Sequence, residues 1–396
     1  MAMQSTDMQI PLSLFPDFPV SKGHFLENIK MGIRIYFDLD HMSDPSNFKA
    51  VVYMHGSGGN GKVPIDNPLV QAITSAGYYL ISVSGLGSSH SSSNPWTYGY
   101  GNVQSPMLYG RMVKGFWETQ AVVEILAAHA LGTTAPRDFD EGWFNSNSET
   151  LSPFADTRTT KWSSIGEGVE QLRVRVVQGE ADRLRVQWRV AGNNITFDSF
   201  ADDGLSADNK YQAVLDVPPG ATHVRIYYAS SAVSDTDPIL SIATYIPIAL
   251  LGHSLGAQKS FSWASLVHEM YPRSEALVDY IIGNGATSAG SGNYRWNHIH
   301  RNIAAFSNTF RRVNHKAIAY YSDDDGYCPR DFSERLRMSL RPDQDNLYFI
   351  SPGALGHSWF STRPDLVVGH LDQFFNGDPI TIDPTDPDSA LAVPGP

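Results

Sequence analysis

The residue most able to do chemistry is Ser254, in the pentapeptide Gly252-His253-Ser254-Leu255-Gly256. An apolar run, Ile246 to Leu251, ends abruptly at that pentapeptide, and a helical pattern starts straight after it. Strand, sharp turn and helix are the setting in which G-x-S-x-G forms a nucleophile elbow, holding the serine hydroxyl off the end of a sheet. The flanking glycines let strand and helix approach where a side chain would collide. The plainer reading is a glycine-rich turn whose serine caps the next helix. A serine hydroxyl attacks only when a base takes its proton, so the elbow predicts a histidine and a carboxylate elsewhere.

Of the 13 histidines, His357 has the right context: a Gly-flanked loop, Pro352 to Phe360, following the last apolar strand pattern, Leu347 to Ile350. His298, His300 and His315 lack it, and His253 inside the elbow is expected to point away from the hydroxyl. The carboxylate comes from Asp323-Asp324-Asp325, at the end of the strand pattern Lys316 to Tyr321. Asp325 is preferred because Asp-Gly-Tyr-Cys-Pro fits an acid shortly before a helix-initiating proline. Asp323 and Asp324 then serve as loop carboxylates that cap turn N–H groups. The order Ser, Asp, His is the order of α/β hydrolases.

The loop His55-Gly-Ser-Gly-Gly-Asn-Gly61 follows a short apolar strand, Lys49 to Met54, and admits three readings. Gly56, Gly58 and Gly61 fit G-x-G-x-x-G, but the next strand, Tyr78 to Ser84, ends without an acid for a ribose. Gly56 to Lys62 fits G-x-x-x-x-G-K, but Val63 stands where magnesium binding needs Ser or Thr. The third reading is an oxyanion loop whose N–H groups face a developing negative oxygen. It alone accounts for Ser254 as well.

The elements that would position these residues alternate. Strands are expected at 32–40, 49–54, 78–84, 246–251, 276–283, 316–321 and 347–350. Helices are expected at 62–76, 112–131, 258–271, from about 331, and at 366–375. The long aromatic loop 85–110, with Trp96, Tyr98 and Tyr100, leaves the same end of the sheet as the glycine loop. So do Tyr294, Trp296 and Trp359, and of these aromatics Trp96, Tyr98, Tyr294 and Trp359 are the candidate walls of a substrate pocket. The chain divides into a discontinuous α/β catalytic domain (1–132 and 244–376), an inserted β-rich module (133–243) and an Asp/Pro-rich tail (377–396) expected to be disordered. Within the module four alternating segments, 172–177, 184–190, 211–217 and 223–228, suggest an antiparallel sandwich. The module enters ahead of the Ser254 strand, from the end of the sheet remote from the elbow, and this predicts a spacer, binding or assembly role. Arg173, Arg175, Arg185 and Arg189 alternate with its apolar residues, a pattern read as a solvated outer face.

Bulk properties exclude several classes. A net charge of −12 with 29 Lys+Arg argues against nucleic acid as the main partner. The single cysteine, Cys328, allows no intrachain disulfide. No apolar run reaches a membrane span, and the N-terminus carries no secretion signal pattern, which gives a cytoplasmic default or an extracellular place within an assembly.

Taken together, Val51 to Gly61, Gly252 to Gly256, Asp325 with Pro329, and Gly356-His357 resemble α/β-hydrolase serine esterases, nearest to the group holding polyhydroxybutyrate depolymerases and feruloyl or acetylxylan esterases. The resemblance spans roughly 30–132 and 244–376. It implies an oxyanion hole from the N–H of Leu255 and of Ser57, with Gly58 the alternative second donor, and neither metal nor organic cofactor. The expected activity is carboxylic-ester hydrolysis, with a polysaccharide bearing acetyl or aryl groups as substrate. A polyester or lipid ester is the alternative, as is a structural subunit, such as part of a phage particle, carrying a secondary esterase domain. In either case the β module would mediate oligomerisation or attachment.

Overall fold

A computed structural model describes residues 3–11, 30–41, 48–56, 61–85, 116, 118–127, 157–159, 162–178, 183–190, 194–199, 211–229, 239–285, 315–327 and 346–394. The first four strands are β1 (Met3–Pro11), β2 (Lys30–Asp38), β3 (Ala50–Met54) and β4 (Tyr79–Val83). They join β13 (Ile248–His253), β14 (Tyr280–Asn284), β15 (Lys316–Tyr320) and β16 (Leu347–Ile350) in one eight-stranded sheet ordered β1-β2-β4-β3-β13-β14-β15-β16. β2 runs antiparallel to both its neighbours, and every pair from β4 to β16 is parallel. This is the α/β-hydrolase fold.

The strands read as continuous apolar runs because both faces are covered. Along β13, Ile248 and Leu250 point to one face and Ala249 and Leu251 to the other, and all four are fully buried. The first face packs on α2 (residues 118–127) and α3 (Leu255–Met270) through Val122, Val123, Phe261 and Val267. The second packs on α1 (Pro68–Ser75) and α5 (Pro364–Asn376) through Leu69, Ile73, Leu371 and Phe374. Helix α1 starts where Asn67 accepts the Leu69 N–H with Pro68 next in line, the residue types that initiate helices. A one-turn helix, α4 (Pro272–Glu275), follows α3 directly.

Between α2 and β13 lie two further antiparallel sheets. One is β10-β7-β12 (Gln212–Asp216, Gln171–Gln178, Ile239–Thr244). The other comprises β5 (Thr157–Thr159), β6 (Ser163–Ser164), β8 (Arg183–Val190), β9 (Asn194–Ser199) and β11 (Ala221–Ala229). Leu172, Val174 and Val176 of β7 meet Val186, Trp188, Val224 and Ile226 in a core of their own.

The opposite face of β7 departs from the sequence reading. Arg173 and Arg175 are 2% and 7% exposed, buried against the large sheet's N-terminal edge. The Arg175 guanidinium makes paired hydrogen bonds of 2.6 and 2.8 Å with Glu124 of α2 and reaches the Arg273 carbonyl. The Arg173 guanidinium lies 5.0 Å from the Tyr245 ring centre, whose hydroxyl donates to Asp279. Alternation marks a solvated second face only when nothing packs on that face, and here the α/β unit does.

The tail also differs from expectation. Residues 377–394 fold back on α5: Ile380 is 2% exposed, and Thr381 pairs with Leu391 and Tyr348 with Pro394 in isolated bridges. In place of the expected disorder, its aspartates close turns, with Asp383 accepting from Thr385 N–H and Asp386 from Asp388 N–H.

Candidate active site

Ser254 separates β13 from α3 with φ 54° and ψ −118°, and it is one of two non-glycine residues at positive φ among those described. Such strain in a non-glycine residue is held only where neighbours over-determine it. Here the Ser254 N–H donates to the Asn284 carbonyl at 2.7 Å, and Gly256 lets the start of α3 pass against β3. A Cβ at Gly256 would run into the Met54 carbonyl. Gly56, at the start of the glycine loop, passes as closely: a Cβ there would lie 2.9 Å from His253 Nδ1 and 3.3 Å from Ser254 Cβ. The loop therefore begins in contact with the elbow. Leu255, the expected oxyanion donor, is the first residue of α3, where a helical N–H has no intrahelical acceptor. Ser57 and Gly58 lie outside the described residues.

His357 follows β16 and packs over the elbow, its ring 4.8 Å from that of His253. Its Nδ1 is 2.7 Å from Oδ2 of Asp325, whose side chain is 1% exposed. The Tyr327 N–H donates to the other Asp325 oxygen at 2.8 Å, which fixes the carboxylate plane. With Nδ1–H donated to Asp325, the neutral ring presents Nε2 as a base. Asp324 faces solvent and accepts from the Gly356 N–H and the Ser322 hydroxyl, and these bonds hold it below the usual aspartate range. Asp323 N–H donates to the Gly353 carbonyl. Of the three consecutive aspartates, the structure brings Asp325 to the imidazole.

Burial governs the ionisation of the histidines next to Ser254. Burial, reinforced by the nearby Lys259 charge, lowers His55 to about 4, so this residue at the head of the glycine loop is neutral. Lys259, one turn into α3, lies 2.5 Å from Glu118 of α2, with the two side chains 6% and 0% exposed. Burial likewise lowers His253. Its Nε2 donates to the His357 carbonyl at 2.9 Å, so its ring touches the base although it belongs to the elbow.

One proposed pocket aromatic does not hold that role. Trp359 is fully buried, its indole N–H donating to Asn284 Oδ1 at 3.1 Å and its ring edge-on to Tyr320 and Phe360. Aromatic character and proximity to His357 marked it, but the 3-10 turn Trp359–Ser361 carries the ring inward. Trp96, Tyr98 and Tyr294 lie outside the described residues. Two residues went unnoticed in the sequence. Tyr327 is 67% exposed with its ring 5.0 Å from that of His357. Asn284, fully buried, ends β14 beside the elbow, and a polar residue closing an apolar parallel strand at its C-terminal end was the available signal. Among the described residues no group of three or more His, Cys, Asp or Glu could hold a metal ion, and no helix is long and apolar enough to cross a membrane.

No protein-family model matches the chain, and no curated protein matches it. Similar solved structures include a CIB-like hydrolase from Thermoplasma acidophilum, at 10% identity over 95% of this chain and 100% of that one, TM-score 0.43. Est1E from Butyrivibrio proteoclasticus matches at 9% identity over 88% and 96%, TM-score 0.45. The hydrolase BphD from Rhodococcus sp. strain RHA1 matches at 9% over 95% and 100%, TM-score 0.45.

Proposed function

We propose that the chain is a serine ester hydrolase working through an acyl-enzyme on Ser254, with His357 as base and Asp325 as its orienting acid. The observation that carries this reading is the strained Ser254 turn with the His357–Asp325 pair packed over it. Ser254 Oγ bonds to the ester carbonyl carbon as its proton passes to His357 Nε2. The carbonyl oxygen becomes an oxyanion, stabilised by the Leu255 N–H and that of Ser57 or Gly58. Collapse breaks the acyl–oxygen bond, and the alcohol leaves with the proton from His357. Water then attacks the acyl-enzyme through the same base, releasing the acid and restoring Ser254.

The substrate we infer is an acylated polysaccharide carrying acetyl or aryl esters. The exposed Tyr327 ring beside His357 supports it, since the alcohol leaves past that imidazole and a sugar can stack on an open aromatic face. A second reading, a subunit of a larger assembly with secondary esterase activity, draws on the two sheets formed by β5 to β12 and their attachment at the sheet end away from Ser254. Labelling with a fluorophosphonate, with Ser254→Ala as control, tests the mechanism: wild type should label and hydrolyse an activated short-chain ester, and the variant should do neither. Acetylated glycans, feruloyl esters, polyhydroxybutyrate and tributyrin assayed side by side test the substrate. Turnover of tributyrin alone would sink the polysaccharide. Mass in solution tests assembly, and a large oligomer that does not label would favour the structural role.

A further inference from the structure

Asn284 touches both halves of the proposed machinery. Its backbone carbonyl accepts the Ser254 N–H at 2.7 Å, and its side-chain amide donates to the His357 carbonyl at 2.8 Å. Its Oδ1 accepts the Trp359 indole N–H at 3.1 Å, which fixes which way round the amide lies. The same His357 carbonyl accepts a second hydrogen bond, 2.9 Å long, from His253 Nε2. The histidine loop is thus held by two donors from the ends of the adjacent strands β13 and β14, where His253 and Asn284 are register partners.

We propose that Asn284 is a positioning residue for the reaction: it sets the distance between Ser254 and His357 by binding the backbone of one and the carbonyl of the other. The inference rests on the reading of Ser254 and His357 as nucleophile and base. An apolar residue would fill the space but leave the buried Trp359 indole N–H without its acceptor, so the carboxamide serves stability as well, and kinetics must separate that role from positioning. A buried amide with donor and acceptor both used, joining the elbow and the histidine loop alongside the His253 bond, holds a geometry to a fraction of an ångström. Misplacement by about 1 Å costs about a hundredfold in rate.

The placement also explains why Trp359 is buried. Its N–H orients the amide so that the NH2 group faces His357, and it does so without reaching substrate. His253 supplies the partner bond from the elbow itself, so the two strand-end side chains share one task. Because each grips the same carbonyl, loss of either leaves the other to hold the loop less exactly in direction.

The test compares Asn284→Leu, Asn284→Asp and Trp359→Phe with wild type on an activated short-chain ester. Asn284→Leu keeps the backbone carbonyl and removes both side-chain bonds. Its kcat should fall by about 10- to 100-fold with KM within about twofold, and fluorophosphonate labelling should slow by the same factor. Asn284→Asp keeps the acceptor for Trp359 but turns a carboxylate oxygen toward the His357 carbonyl. The negative charge should move the acidic limb of the kcat/KM profile up by about half a unit or more, and kcat should fall as in Asn284→Leu because the bond to the His357 carbonyl is lost, with KM little changed. Trp359→Phe should reproduce a few-fold part of the kcat loss. Wild-type kcat and an unmoved pH limb in folded Asn284→Leu and Asn284→Asp would overturn the proposal. Should Asn284→Leu fail to fold, the pH limb of Asn284→Asp and the kcat of Trp359→Phe decide. Ser254→Ala, run alongside, separates this outcome from failure of the mechanism itself, because residual hydrolysis there condemns the nucleophile and not Asn284.

Discussion

Asp325 and Asp324 are adjacent in the chain yet hold different halves of one loop: Asp325 lies 2.7 Å from the His357 ring, and Asp324 takes the backbone N–H of Gly356 at 2.6 Å. One carboxylate is buried and meets the imidazole proposed as the base. The other is exposed and satisfies a turn. Burial makes the difference, because a charge interaction sheltered from water is weakened little by solvent or salt.

Their substitution should therefore separate cleanly. Asp325→Asn favours the wrong imidazole tautomer and should lower kcat by about 10⁴-fold on an activated ester. Asp324→Asn still offers an oxygen to Gly356 and should stay within about threefold of wild type. Steady-state kinetics on both variants decide; equal losses would mean that the acid is misassigned.

The elbow depends on backbone contact, so the smallest possible change should be severe. Gly256→Ala drives a Cβ into the Met54 carbonyl, where β3 and α3 touch. Neither group is a flexible side chain, so α3 must shift and carry the Leu255 N–H with it. Labelling by a fluorophosphonate should fall by at least about a hundredfold or the protein should not accumulate folded. Wild-type labelling would show that the turn has slack that this packing excludes.

Acid should destabilise the site before it protonates most carboxylates. His55 has its folded value lowered to about 4 from an unfolded 6.5 by burial and then by Lys259. A depressed folded value means that its contribution is whole above pH 6.5 and is lost as pH falls from 6.5 toward about 4. Burial lowers His253 and His370 in the same direction, adding to the loss over that range. Thermal midpoints measured from pH 7.5 to 4 should drop, and should drop less in His55→Gln. An identical pH slope in that variant would remove His55 from the explanation.

The places of Ser254, Asp325 and His357 were more legible in the sequence than the packing. Ser254, Asp325 and His357 stand at the ends of apolar strands, and the parallel order of the sheet brings such ends together, so residue type and position suffice. Asn284 escaped because an amide at a strand end looks like any loop residue until its partners are known. Arg173 and Arg175 escaped for a related reason: alternation gives the face on which a residue lies, but it does not tell what covers that face. Trp359 shows the converse, since an aromatic next to a reactive histidine reads as a pocket wall until a single turn carries it inward. Composition misled most in the tail, where Asp and Pro read as disorder and proved to be turn formers around the buried Ile380.

The Arg175–Glu124 pair offers the most direct test of how the two-sheet unit is attached. Burial alone would raise Glu124, but the paired Arg175 bonds and the Ser274 hydroxyl outweigh it and hold the carboxyl below its ordinary value. The pair's contribution is therefore whole above the ordinary glutamate value of 4.5 and disappears as pH falls below it. Removing one partner leaves the other charged and buried, so Glu124→Leu should cost about 3 kcal/mol, whereas Glu124→Leu with Arg175→Met should recover much of that loss. Because this contact lies at the N-terminal ends of the strands and Ser254 at the C-terminal end of β13, turnover of a short-chain ester per folded molecule should stay within about twofold of wild type. Thermal unfolding and hydrolysis measured on the same samples give both quantities. A double variant no better than Glu124→Leu would show that the ion pair does more than neutralise itself, and loss of turnover in the folded variants would show that the two ends of the sheet communicate.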